Sequence, residues 1–114
     1  MSQSDYDQLS ATGKLPPTSE TFTSPTQAFS EGYEGAVVKF NMESGTTEAL
    51  EGIGVRDTSA LTSAAYPDMP QVSKGWNAEN AFFKGEGGQI NIGLGKGAAL
   101  DVFNSRIQSF EQIR

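Results

Sequence analysis

Glu86 lies in Lys84-Gly85-Glu86-Gly87-Gly88-Gln89 and is the only carboxylate of a glycine cluster set directly ahead of an alternating apolar segment. Glycine tolerates positive φ and lets the backbone approach a ligand closely, so a carboxylate on this turn can be held near a substrate at low conformational cost. The chemistry it suits is substitution at a sugar carbon. As a glycosidic bond breaks, the sugar passes through a cation-like transition state, which a nearby carboxylate stabilises while it orients a ribose hydroxyl. Gln89 can supply the hydrogen bond but not the charge. A second group, Thr21-Phe22-Thr23-Ser24, offers hydroxyls to a cleft. The plain alternatives are an exposed turn carboxylate for Glu86 and a helix cap for Ser24.

Other chemistries are narrowed by what the chain lacks. It contains no histidine and no cysteine, which removes imidazole bases, thiol nucleophiles, disulfides and the usual zinc ligand sets. The net charge of −6 argues against a broad phosphate-binding face, but it is unevenly spread. Residues 1–70 carry three basic and ten acidic side chains, residues 71–114 five and four. A phosphate-bearing ligand would favour the second part, where Lys74, Lys84 and Lys96 flank the glycines, although a solvated surface is the simpler reading. Gly93-Leu94-Gly95-Lys96-Gly97-Ala98 fits a dinucleotide fingerprint formally. Only sixteen residues follow Ala98, too few for the helix and second parallel strand that fingerprint serves, so these glycines read as a strand end.

The elements that must position these groups fit one domain spanning residues 1–114. Ser4 and Asp7 predict a cap for a helix over Asp5–Thr12, ended by Gly13. Thr21–Thr23 predicts a short strand, and Ser24-Pro25-Thr26-Gln27 opens a helix running to about Gly32, docked by Ala28 and Phe29. Ala36–Met42 alternates Val38, Phe40 and Met42 against Val37 and Lys39, the clearest strand signal, placed centrally in a sheet. Thr46 or Thr47 caps a helix through Glu51, and Ile53–Val55 returns to the sheet. Asp57–Val72 reads as a long loop that covers a site or binds a partner. Trp76, Phe82 and Phe83 anchor the core. Gln89–Ile92 is a half-buried strand, Ala98–Phe103 a short helix, and Ile107–Ile113 a final strand. The fold class is α+β with mostly antiparallel pairing. No apolar run approaches the roughly 18 residues of a membrane span, and Met1–Ser10 has no secretory pattern.

Taken in order, SDYDQLSATGKLPPTSETFTSPTQAFSEGYEGAVVKF and KGWNAENAFFKGEGGQINIGLGKGAALDVFNSRI resemble the C-terminal toxin domains of Rhs-type bacterial polymorphic toxins with an ADP-ribosyltransferase fold. The resemblance spans nearly the whole chain. It implies a split, mostly antiparallel β-sheet fold that grips NAD as substrate in a central cleft, without a metal. The family's Ser/Thr-rich strand matches Thr21, Phe22, Thr23 and Ser24, with Phe22 packing beneath the hydroxyls, and Tyr33 joins these as an NAD contact. Its acidic residue matches Glu86, or Gln89 if the alignment slips along the turn. Its opening arginine or histidine has no match, so that strand is expected upstream of Met1, with Lys39 or Arg56 as substitutes within the chain.

The function this implies is an NAD-dependent mono-ADP-ribosyltransferase toxin, delivered into the cytoplasm of a rival bacterium. Its target would be a macromolecule there, a protein of the translation machinery in preference to RNA. A cognate immunity protein is its expected partner. The competing readings are an NAD glycohydrolase using the same cleft, and a non-catalytic module binding a partner through residues 57–72 and Trp76; a ribonuclease fits less well without histidine.

Overall fold

A computed structural model of the chain describes residues 1–17, 21–25, 30, 35–72 and 80–114. The helix expected from Pro25 to Gly32, together with Tyr33, Lys74 and Trp76, falls largely or wholly outside them. The described elements are α1 (Gln3–Thr12), β1 (Phe22–Thr23), β2 (Val38–Met42), α2 (Thr46–Glu51), β3 (Gly54–Arg56), α3 (Ala60–Ala65), β4 (Ala81–Glu86), β5 (Gln89–Gly93), α4 (Ala98–Asn104) and β6 (Ile107–Gln112). They form one sheet in the order β1-β5-β4-β3 and a second of β2 and β6. All pairings are antiparallel except β3 with β4, so the fold is α+β as expected.

Helix α1 starts earlier than its sequence suggests. Ser2, not Ser4, is the cap, its hydroxyl accepting the Asp5 N–H at 3.0 Å. Gly13 ends the helix at φ 76°, a left-handed conformation that favours glycine, and returns its N–H to Leu9 O. Beyond it, Asn104 clamps the chain: its Oδ1 accepts the Leu15 N–H at 2.8 Å and its Nδ2 donates to Leu15 O at 3.1 Å. The buried Leu9 and Leu15 thereby join Leu50, Ala81, Phe83, Leu94, Ala99, Leu100 and Phe103 in one core.

β2 is not a central strand. Among the described residues it pairs only with β6, from Val38 opposite Gln112 to Met42 opposite Ile107. Its alternation gives the reason: Val38, Phe40 and Met42 pack on the core while Lys39 and Asn41 stand exposed, the pattern of a one-sided strand. Phe40 meets Phe103 edge-to-face at 5.2 Å.

Two further expectations change. Neither threonine caps α2. The cap is Gly45 at φ 88°, while Thr46 is buried and donates its hydroxyl to Glu43 O at 2.7 Å. Residues 57–72, read as loop, contain helix α3, capped by Ser59. This segment makes the parallel β3–β4 connection, in which Gly54, Val55 and Arg56 oppose Ala81, Phe82 and Phe83.

Candidate functional site

The hairpin β4–β5 turns through Gly87 and Gly88, at φ 58° and 80°. Two consecutive positive φ angles make a two-residue connection whose twist matches that of the strands. This fixes Glu86 directly opposite Gln89, and behind them Lys84 opposite Asn91 and Phe82 opposite Gly93. On the far side of β5, Phe22 also opposes Gly93 and Thr23 opposes Ile92.

Residues directly opposite in an antiparallel pair share a face. Phe22, Phe82, Lys84, Glu86, Gln89 and Asn91 therefore occupy one face of the sheet, and Ser24 continues that parity at the end of β1. Phe83, Ile90 and Ile92 occupy the other and pack on the core. Gly93 has no side chain, which leaves room for the flanking rings of Phe22 and Phe82 to meet edge-to-face at 6.2 Å. The Lys84 ammonium lies 5.8 Å from the centre of the Phe22 ring and 3.6 Å from Glu86 Oε1. Phe22 is 37% exposed.

On the same face, Gln89 Nε2 donates to Ser24 Oγ and to Asn91 Oδ1, each at 2.7 Å. The first of these bonds spans 65 positions of sequence and joins the two motifs singled out above. Asn91 is 1% exposed.

A cleft of about 1250 Å³ opens between the two sheets. Thr21, Phe22, Thr23, Ser24, Glu86 and Asn91 border it, together with Phe83, Ile90 and Ile92 of the other face, whereas Gln89 does not. Val38, Phe40 and Met42 border it from the smaller sheet. Lys39 is the sole lysine or arginine among the described lining residues, and Arg56 is not among them. Arg56 is committed elsewhere, donating from Nη1 to Asp57 O and Ser63 Oγ at 3.1 and 3.0 Å. Asp5, Glu43 and Glu48 also border the cleft, but none of them lies on a strand of the larger sheet.

The hairpin is braced by a carboxylate that sequence reading passed over. Asp57 Oδ1 accepts from Ser59 N, Ser59 Oγ and Thr62 Oγ1 at 3.2, 2.7 and 2.7 Å, and its Oδ2 accepts the Gly85 N–H at 3.1 Å. Burial alone would raise the pKa of Asp57, but the hydrogen bonds from Ser59, Thr62 and Gly85 outweigh it and hold the carboxyl below its usual 3.8. A helix-cap constellation, Asp57-x-Ser59-x-x-Thr62, was the signal available for it in sequence.

No helix among the described residues is long and apolar enough to cross a membrane. Comparison with curated proteins finds no match. Across residues 1–112 the sequence matches the family model of the PT3 toxin domain, and the chain belongs to that family.

Proposed function

We propose that this toxin domain is an NAD-dependent mono-ADP-ribosyltransferase, with the cleft between the sheets as its NAD site. The observation that carries the reading is the convergence of Glu86 and Ser24 on one cleft, tied together through the Ser24–Gln89 hydrogen bond. In this reading the bond between ribose C1 and nicotinamide breaks as the ring gains positive charge, and Glu86 stabilises that charge. A nucleophilic atom of the target then bonds to C1 and gives up its proton, leaving ADP-ribosylated target and free nicotinamide. Ser24 and the Thr21 and Thr23 hydroxyls supply polar contacts along the cleft wall, and Phe22 gives an apolar surface for a ring. Lys39 is the cation available for a diphosphate within the described lining.

The chain is read as one toxin domain over residues 1–114. Domains of polymorphic toxins generally pair with immunity proteins, and a cognate one that closes this cleft is the expected partner. A translation protein in a rival bacterium's cytoplasm is the proposed target, and Rhs-type secretion the route.

The test incubates the domain, and a version extended upstream in its parent gene, with labelled NAD and a bacterial lysate, following transferred label and free nicotinamide together. Label on a discrete band supports the transferase. Nicotinamide without transfer replaces it with the glycohydrolase, and neither signal from the extended protein overturns the NAD reading in favour of a binding module.

A further inference from the structure

The polar face of the larger sheet ends in an unmet valence. Ser24 Oγ, the Gln89 amide and Asn91 Oδ1 form a continuous set of 2.7 Å hydrogen bonds, yet Asn91 Nδ2 finds no partner among the described residues. Asn91 is also among the largest fully buried side chains and lines the cleft. A buried amide nitrogen left without an acceptor costs stability, and folded proteins rarely retain one without a reason. Strand packing does not require it here, because valine is much nearer in volume than the larger aliphatic residues, suits a strand and would carry no unmet donor. Reversing both amides moves the open valence from nitrogen to oxygen without closing it, since Gln89 and Asn91 still share a single contact.

We propose that Asn91 is a ligand-reading residue of this cleft, its Nδ2 donating to an oxygen of the bound molecule, specifically a ribosyl hydroxyl. The inference rests on the reading of the cleft as an NAD site for the identity of the ligand. The need for an outside partner rests on the Asn91 geometry alone. Asn91 lies opposite Lys84 and two residues along β5 from Gln89, which itself opposes Glu86. A hydroxyl held at Asn91 therefore sits one strand step behind the carboxylate that would face the reacting carbon. The bond from Gln89 Nε2 polarises the Asn91 amide toward donation, since it is accepted at Oδ1. The residue acts by binding and orientation and gives up no proton.

The experiment compares Asn91→Val, which removes the donor with little change of volume, with Asn91→Ser, which keeps a shorter donor and serves if the valine variant fails to fold. Thermal stability, affinity for NAD and ADP-ribose by calorimetry, and the Asn91 side-chain amide resonances of the ¹⁵N-labelled wild type are measured. The expected result is a melting temperature for the valine variant equal to or above wild type, a roughly tenfold or greater loss of affinity, and a shift of the Asn91 amide resonances when ADP-ribose binds the wild type. Nucleotide binding with those resonances unmoved and affinity unchanged in the folded variant would overturn the proposal while leaving the NAD reading intact. If the wild type binds neither nucleotide, the NAD reading and with it the ribosyl assignment fall. The stability of the valine variant then decides the rest: a gain supports a donor kept for a different ligand, and a loss shows a structural amide.

Discussion

The Gly85 N–H bonds to Asp57 Oδ2 at 3.1 Å, joining the cap of helix α3 to the strand that carries Glu86. One carboxylate thus serves two tasks, since its other oxygen holds Ser59 and Thr62 at the start of the helix. The position of the proposed catalytic hairpin depends on a helix that makes no part of the cleft lining.

Gly85→Ala tests the closeness of that contact. A Cβ built there would collide with Ser59 Oγ and approach Leu61 Cβ to 3.3 Å. Neither neighbour can yield easily, because the Ser59 hydroxyl is fixed by Asp57 and Thr62. The expected loss is about 1–3 kcal/mol, read from urea unfolding, with any NAD-dependent activity falling along with stability.

Asp57→Asn removes the charge and supplies an NH₂ where two oxygens now accept four hydrogen bonds. A loss of about 1–3 kcal/mol at neutral pH is expected. The acid dependence follows from the lowered pKa. The unfolded chain protonates this group near 3.8 while the folded one resists. Its stabilising contribution is therefore full above that value and disappears as pH falls through the lower, folded pKa. Below pH 3.8 the stability of wild type should drop more steeply than that of Asp57→Asn, measured by denaturant unfolding across the range.

Tyr66 gives the opposite limb. Burial, then its hydrogen bond to Glu51 and the negative charges of Glu51 and Glu48, push the phenol above its usual 10.0. Its ring meets Phe83 edge-to-face at 5.0 Å. The unfolded chain ionises first on going alkaline, so this contribution is present below pH 10.0 and is lost as pH rises toward the folded value. Tyr66→Phe should flatten the fall in stability above pH 10.0 and remove one late phenolate from the ultraviolet titration.

Glu86→Gln separates chemistry from folding. The carboxylate makes one ion pair, with a Lys84 side chain that is 42% exposed, and such pairs contribute little to stability. The unfolding midpoint should stay essentially unchanged. Transfer of label from NAD should fall by roughly 100- to 1000-fold, the scale of removing one electrostatic stabiliser of a transition state. Unaltered transfer by the folded variant would remove Glu86 from the mechanism.

Much of the fold was legible because its signals are local. Gly13 and Gly52 end helices as read, the alternation in Val38–Met42 gave a strand with the correct buried face, and Gln89–Ile92 is a strand as read. The polymorphic-toxin resemblance agrees with the family to which the chain belongs. What sequence missed depends on partners distant along the chain. β2 carries a strong strand pattern, but only its pairing with β6 places it in a separate sheet. Helix α3 hides among small polar residues because its cap is completed by Asp57 and tied to Gly85, 28 positions away. At the candidate site, Glu86 and Thr21–Ser24 were singled out by residue type, and they border one cleft. Asn91 was not, since a polar residue in an alternating strand looks like one facing water.

The two sheets also differ in how far the chain must travel to make them. β4 and β5 are joined by two glycines, so they can zip together as a local hairpin, an event of about 1–10 μs. β2 and β6 pair Val38 with Gln112 and must first close almost the whole intervening chain, an entropic cost that slows assembly. The contact order of the domain is thus divided unequally between its walls. This predicts a sequence of events in which the hairpin bearing Glu86 forms while the facing wall is still absent, and the last strand to dock is the one that turns an open sheet into a cleft.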